Sequence, residues 1–198
     1  MPLLTSDEDI LRAFAEEHSK MSEETLQWLV KTFNVPIHSS ADPKPIKIKK
    51  SPSADTRTAT HAVTKEELLE STLMHISDVQ KALSWFANKL IEAGSIHDHT
   101  KINDIDGFYK LAQAGFKDED FRAGDWFKKH VTTERHHLTD HCPDDVTLID
   151  VMERVADMVS AGLARSGSVY EDDLDPAILR KAYINTINLL KEQIEVEE

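Results

Sequence analysis

The sequence predicts an all-α protein: a helical bundle preceded by a helical hairpin and a flexible linker. Apolar residues recur at three- and four-residue spacings in each long segment, the pattern of one buried helix face. Start and stop signals bracket those segments, with Thr64 and Asp175-Pro176 at starts and Gly94 and Gly167 at ends. No segment shows a convincing strand alternation, and no internal repeat is present.

Taken in order, Thr5-Ser6-Asp7-Glu8 opens a short helix with Ile10, Leu11 and Phe14 on its apolar face. A second begins near Ser22, where Glu23 and Glu24 suit the positive end of the helix dipole. It carries Leu26, Leu29, Val30 and Phe33 and ends at Pro36. Residues 1–35 are therefore read as a helical hairpin, and as a candidate interface between copies of the chain. Residues 36–62 turn to Ser, Pro, Lys and Thr, too polar to form a core, and read as a linker. Residues 63–198 form the main helical domain. Thr64, followed by Glu67, is a capping-box start for a helix reaching about Ala93. Its stripe of Leu68, Val79, Leu83, Phe86 and Leu90 also contains His75. Further short helices are expected between Ile105 and His130, with Phe108, Phe116 and Trp126 among the core candidates. Asp144 or Asp145 would cap a long helix to about Arg165, burying Leu148, Met152, Val155, Val159 and Leu163. A last helix runs from Asp175-Pro176 to Ile194, and the acidic tail is expected to be solvated.

Composition narrows the function. With 36 acidic and 23 basic residues the formal net charge is -13, which argues against extended nucleic acid or an anionic membrane as partner. No run approaches the roughly 20 apolar residues of a membrane span. Cys142 is the sole cysteine, so an intramolecular disulfide and a cysteine-based zinc cluster are both ruled out. A cytoplasmic location suits that usage. Ten histidines are a rich supply, and their grouping carries the signal.

His97-Asp98 lies between a helix carrying His75 and one carrying Asp157, with His130 and His136-His137 between them. Neutral imidazoles and carboxylates converging from several helices are what a divalent or diiron site requires. A lone His on an apolar face is more often a hydrogen-bonded core residue, and adjacent polar residues in a loop are usually just solvated. The case rests on the set. Asp150 rivals Asp157 as the last carboxylate, and spacing leaves His136 and His137 equal.

The order His75, His97-Asp98, Asp157 resembles the H…HD…D pattern of the HD superfamily of metal-dependent phosphohydrolases, which are helical bundles. His97-Asp98-His99-Thr100-Lys101 resembles the HDxGK segment of one branch, with Thr100 in place of its Gly. Ala156-Asp157 is similar to the Ala-Asp pair on that superfamily's late helix. The resemblance covers about Leu68 to Tyr170 and extends to small bacterial and phage proteins of unassigned function. It implies that His75, His97, Asp98 and Asp157 hold a first metal. Asp98 would bridge to a second held by His130 and by His136 or His137. It also implies Lys101 as a phosphate contact, Arg135, Arg154 or Arg165 as a further clamp, and Asp150 as a residue orienting a ligand or water. The Gly-Tyr-Pro signature of the cyclic-dinucleotide branch is absent.

The expectation is thus a phosphohydrolase for a nucleotide or other small phosphate ester. Two divalent metals (Mn, Fe, Co, Ni, Zn or Mg) would activate its water. The same ligands would also serve an HD-type diiron oxygenase, and a site that holds a nucleotide without turning it over is a third reading. Fold analogy alone does not fix the reaction.

Overall fold

A computed structural model describes residues 45–50, 62–115 and 121–197. The hairpin expected over residues 1–35, the linker outside 45–50 and Ala62, and the core candidate Phe116 lie outside the described residues. The described fold is all-α, with one small two-stranded ribbon.

Helix α1 spans Lys65–Ile96 and starts as its sequence dictates. The Thr64 hydroxyl accepts the Glu67 N–H at 3.2 Å, while the Glu67 carboxylate accepts the Thr64 N–H at 2.8 Å. Two otherwise orphaned backbone donors are satisfied reciprocally. The helix does not stop at Gly94: it continues to Ile96, and His97 is its C-cap. Gly94 is therefore an interior residue, and the chain bends at His97-Asp98 instead.

Three short helices follow, α2 (His99–Asn103), α3 (Ile105–Gln113) and α4 (Asp125–Thr133). Phe108 on α3 stacks on Trp126 of α4 with ring centroids 5.1 Å apart, and Trp126 in turn stacks on His130. The aromatics thus act as packing that holds one histidine in place, as expected of them.

Helix α5 runs over Leu148–Ser166 and ends where Gly167 adopts a left-handed conformation, φ 74°. Such a C-terminal cap favours glycine, whose missing Cβ removes the steric penalty. Its start departs from expectation. Thr147, rather than Asp144 or Asp145, is the N-cap, in a capping box with Asp150. Asp144 and Asp145 are spent elsewhere, on Lys181 and Arg135 respectively. Helix α6 spans Pro176–Glu192, with the Asp175 carboxylate accepting the Ala177 N–H. The core gathers where α5 begins, α6 passes and the 134–147 loop folds over them: Leu138, Val146, Val151 and Ala182, flanked by Cys142, Leu148, Leu174 and Ile178. The buried Thr186 hydroxyl accepts the Leu148 N–H, fastening α6 to the first turn of α5.

Two expectations are corrected here. The segment read as linker contains strand β1 (Ile46–Lys49), and the last helix, read to Ile194, stops at Glu192, so that the still largely exposed tail forms β2 (Ile194–Glu197). They pair in parallel, Ile46 opposite Ile194 and Lys49 opposite Glu197. Ile46 is buried and the Lys47 ammonium meets the Glu197 carboxylate, so a lysine-rich run finds an acidic partner. Four-residue strands are too short for their alternation to stand out from a polar background. The second correction concerns the apolar stripes of α1 and α5. Leu68, Val79, Leu83, Leu90, Met152, Val155, Val159 and Leu163 were expected inside and are exposed.

Candidate metal centre

Four elements bring the centre together: the C-terminus of α1 and the bend after it, α4, the loop that follows α4, and the middle of α5. At the bend, Asp98 takes φ 56°, the one positive φ at a non-glycine among the described residues. Asp tolerates this left-handed region better than most residues, at a small cost. Strain of that kind concentrates at functional sites. Here it turns the Asp98 carboxylate among the histidines.

Two triads result, each with ligand atoms mutually within 4.8 Å: His97, His136 and Asp157, and Asp98, His130 and His137. Asp98 stands between them. Its Oδ1 lies 3.5 Å from His130 Nε2 and 3.9 Å from His136 Nε2, and its Oδ2 lies 3.6 Å from His97 Nε2. His97 Nε2 is also 3.6 Å from Asp157 Oδ1. The histidine rings pack in sequence, His97 on His136, His136 on His137 and His137 on His130, with centroids 4.3 to 4.6 Å apart.

The opposite ring nitrogens are held from behind. Glu153 Oε1 lies 2.9 Å from both His97 Nδ1 and His136 Nδ1. His130 Nδ1 meets the Thr100 hydroxyl at 2.6 Å, and Glu134 accepts the Thr100 N–H at 2.8 Å. Occupying Nδ1 fixes each ring's tautomer and orientation and turns Nε2 inward, the arrangement that prepares imidazoles for a metal. Glu153 and Glu134 were absent from the sequence reading, and Thr100 was read only as a motif position, not as a partner of His130. The i,i+4 spacing of Glu153 and Asp157 on α5 was the available signal for the first. The Thr100 hydroxyl anchors His130.

The electrostatics are those of a site with too many inward-facing acceptors. Burial, followed by the neighbouring His136 and His130, lowers His137 to about 4. Burial and the Lys101 ammonium also lower His130. Asp157 and Glu153 raise His97 to about 10, and His97 in return lowers Asp157. Burial works to raise Glu153, but its bonds to His136 and His97 outweigh it and bring the carboxyl to about 2. One atom of the centre remains without a hydrogen-bond partner, and two imidazoles have only each other at Nε2. Asp98 Oδ1 is fully buried with no hydrogen-bond partner. His130 Nε2 and His137 Nε2 face each other at 2.9 Å, and burial keeps both rings in the neutral, lone-pair-bearing form. A buried carboxylate oxygen left unsatisfied is costly, and neutral imidazoles beside it are metal donors. The residues fit a divalent metal.

The remaining expected residues divide. His75 is not at the centre: it is exposed on α1, about 33 Å from His97 along the same helix at 1.5 Å per residue. The expectation placed both residues at one site although a single helix carries His75 roughly six turns before His97, and that helix is continuous to Ile96. His136 occupies the position expected of His75, so both members of the His136-His137 pair point inward. Asp150 is neither ligand nor ligand-orienting group. It is buried, caps α5 and accepts from Arg135 Nε at 2.7 Å and Nη2 at 3.0 Å. Arg135 is further bound to Asp145, and Arg154 to Asp172, so neither guanidinium is free to clamp a substrate. Arg165 is exposed in the last turn of α5. Lys101 contacts the Asp98 carboxylate and lies over the Phe108 ring.

Residues 64–195, about two thirds of the chain, match the model of a family of unknown function, DUF5662, and the chain belongs to that family. The matched span contains both triads and the residues behind them. No curated protein and no solved structure matches the chain.

Proposed function

We propose that this chain is a metal-dependent phosphohydrolase acting on a small phosphate ester, most simply a nucleotide. The observation that carries the reading is the half-buried Asp98 carboxylate, its Oδ1 shielded from solvent and without a hydrogen-bond partner, between two triads of inward-turned histidines. His97, His136 and Asp157 would hold one divalent metal, and His130 and His137 a second, with Asp98 shared. Bound in this way, a metal pair supplies Lewis acidity and a water acidic enough to attack near neutral pH. The chain's own residues do the rest. Glu153 keeps two imidazoles oriented by accepting hydrogen bonds at their Nδ1 atoms. Lys101 on Asp98 places a positive charge beside the shared carboxylate, where a phosphoryl oxygen would meet it as a point charge. Burial of His130 and His137 keeps their lone pairs available.

A second reading shares the ligands. Four imidazoles against two carboxylates is a nitrogen-rich set, which also suits iron. A diiron oxygenase would use them to activate oxygen.

Metal content of the purified protein, prepared with and without oxygen, tests both. Expected are about two metals per chain in the unmodified protein and near none after Asp98→Ala, with metal-dependent phosphate release lost in parallel. Iron in excess with a visible absorption band and no phosphate release would favour the oxygenase. A chain that neither carries nor takes up metal sinks both.

A further inference from the structure

Helix α1 wears its more apolar side outward. Its protected face carries Met74, Asp78, Ala82, Trp85, Lys89 and Glu92, and Trp85 is the helix's one buried residue. Around the axis, Leu69, Leu73, Ile76, Gln80, Leu83, Ala87 and Leu90 alternate in steps of four and three, and all seven are exposed. Leu83 reaches 61% exposure against 5% for Trp85. Steps of four and three average 3.5 residues, the period that keeps one narrow seam facing a neighbouring helix. Three heptads of it are present. A core face would drift from this seam by only about 60° over three heptads, so what sets the seam apart is that all seven residues are exposed.

We infer that this seam is the contact surface for a second copy of the chain, and that α1 pairs with α1 across a two-fold axis. A second copy is the occupant because it brings a helix of the same length and period, and an isologous interface needs a self-complementary surface. Charge agrees. At a net -13 per chain, like charges would oppose pairing over most of the surface. The positions flanking the seam are Glu70, Thr72, Ser77, Val79, Ser84 and Phe86, a single charge among them. Gln80 is the one polar residue in the seam. A polar side chain at such a position fixes register and partner number at some cost in stability.

The neighbouring helix adds area. On α5, which packs beside α1, Met152, Val155, Val159 and Leu163 are exposed as well, and Leu90 and Met152 line one groove between the two helices. The 32-residue α1, about 48 Å long, and the 19-residue α5, about 28 Å long, lie side by side and present a face that approaches the size class of a standard interface, roughly 800 Å² per partner. The two copies form a four-helix layer, α1 and α5 from each.

Sedimentation or light scattering on the full chain tests this. The expected mass is twice 22.4 kDa. Ile76→Glu with Leu83→Glu is expected to halve it while leaving the helical circular dichroism unchanged. Should that variant fail to fold, Ile76→Ala with Leu83→Ala decides, since Ala is the best helix former. Its association is expected to be weaker by at least about tenfold. A single-chain mass for the unmodified protein at tens of micromolar overturns the inference. So does a dimer that neither pair of substitutions weakens. Metal content is read on the same samples, because His97, Glu153 and Asp157 line the same groove as Leu90 and Met152. Loss of the dimer with metal retained in the substituted chain separates failure of the interface from failure of the centre.

Discussion

At the scale of single residues, Glu153 does what the more visible His-Asp pair cannot do for itself. Its one oxygen holds two imidazoles from different elements. Glu153→Ala is expected to lower metal affinity about 10–100-fold, the range seen when such supporting groups are removed. Glu153→Gln should lose less, because its amide oxygen still accepts. A chelator-competition titration distinguishes the three proteins, and equal affinities would deny Glu153 this role. His75→Ala should leave metal content unchanged, because about 33 Å of helix separates it from His97. A loss of metal there would restore His75 to the site. Most of the His and Asp side chains that the structure gathers into the two triads were legible in the sequence, because His and Asp grouped in this way are rare by chance. The supporting shell was not. Glu134, Glu153 and Thr100 are common residue types whose meaning depends on which nitrogen they face.

At the scale of elements, caps were the most legible feature and faces the least. Thr64 with Glu67, Asp175 with Pro176, and Gly167 act as local chemistry requires, within one turn of chain. The start of α5 was misread because Asp144, Asp145 and Thr147 all suit an N-cap, and tertiary partners chose among them. Arg154 shows the same competition. It leaves α5 to bind Asp172 through two nitrogens, at 2.8 and 2.7 Å, and reaches the His136 carbonyl. This guanidinium holds the Asp172 carboxyl below the usual carboxylate range. A depressed carboxyl stabilises the fold above its unfolded pKa of about 3.9, and that contribution is lost as pH falls through the lower folded value. Asp172→Asn is therefore expected to be less stable than the unmodified chain near neutral pH and equal to it in strong acid. Denaturant unfolding across pH measures the gap, and a gap independent of pH would remove the ion pair from the account.

At the scale of the molecule, hydrophobic periodicity marked where helices run and left open what their apolar sides meet. That is a limit of the signal, since a core and an intermolecular seam follow nearly the same spacing. The ribbon of β1 and β2 was equally hidden, because its two halves are about 150 residues apart and each is one short run. Ile46 is its buried anchor. Ile46→Ala is expected to cost about 2–3 kcal/mol, near the lower end for such truncations. Thermal melts would show it, and no change would mean that the ribbon contributes little. The ribbon also has a mechanical consequence. Because its strands run the same way, a pull on the chain before residue 45 and an opposite pull beyond residue 197 slide one strand along the other. The ladder bonds then bear the load together instead of opening one by one. Tension between the two ends is stopped at the ribbon before it reaches α1 or the centre at its tip.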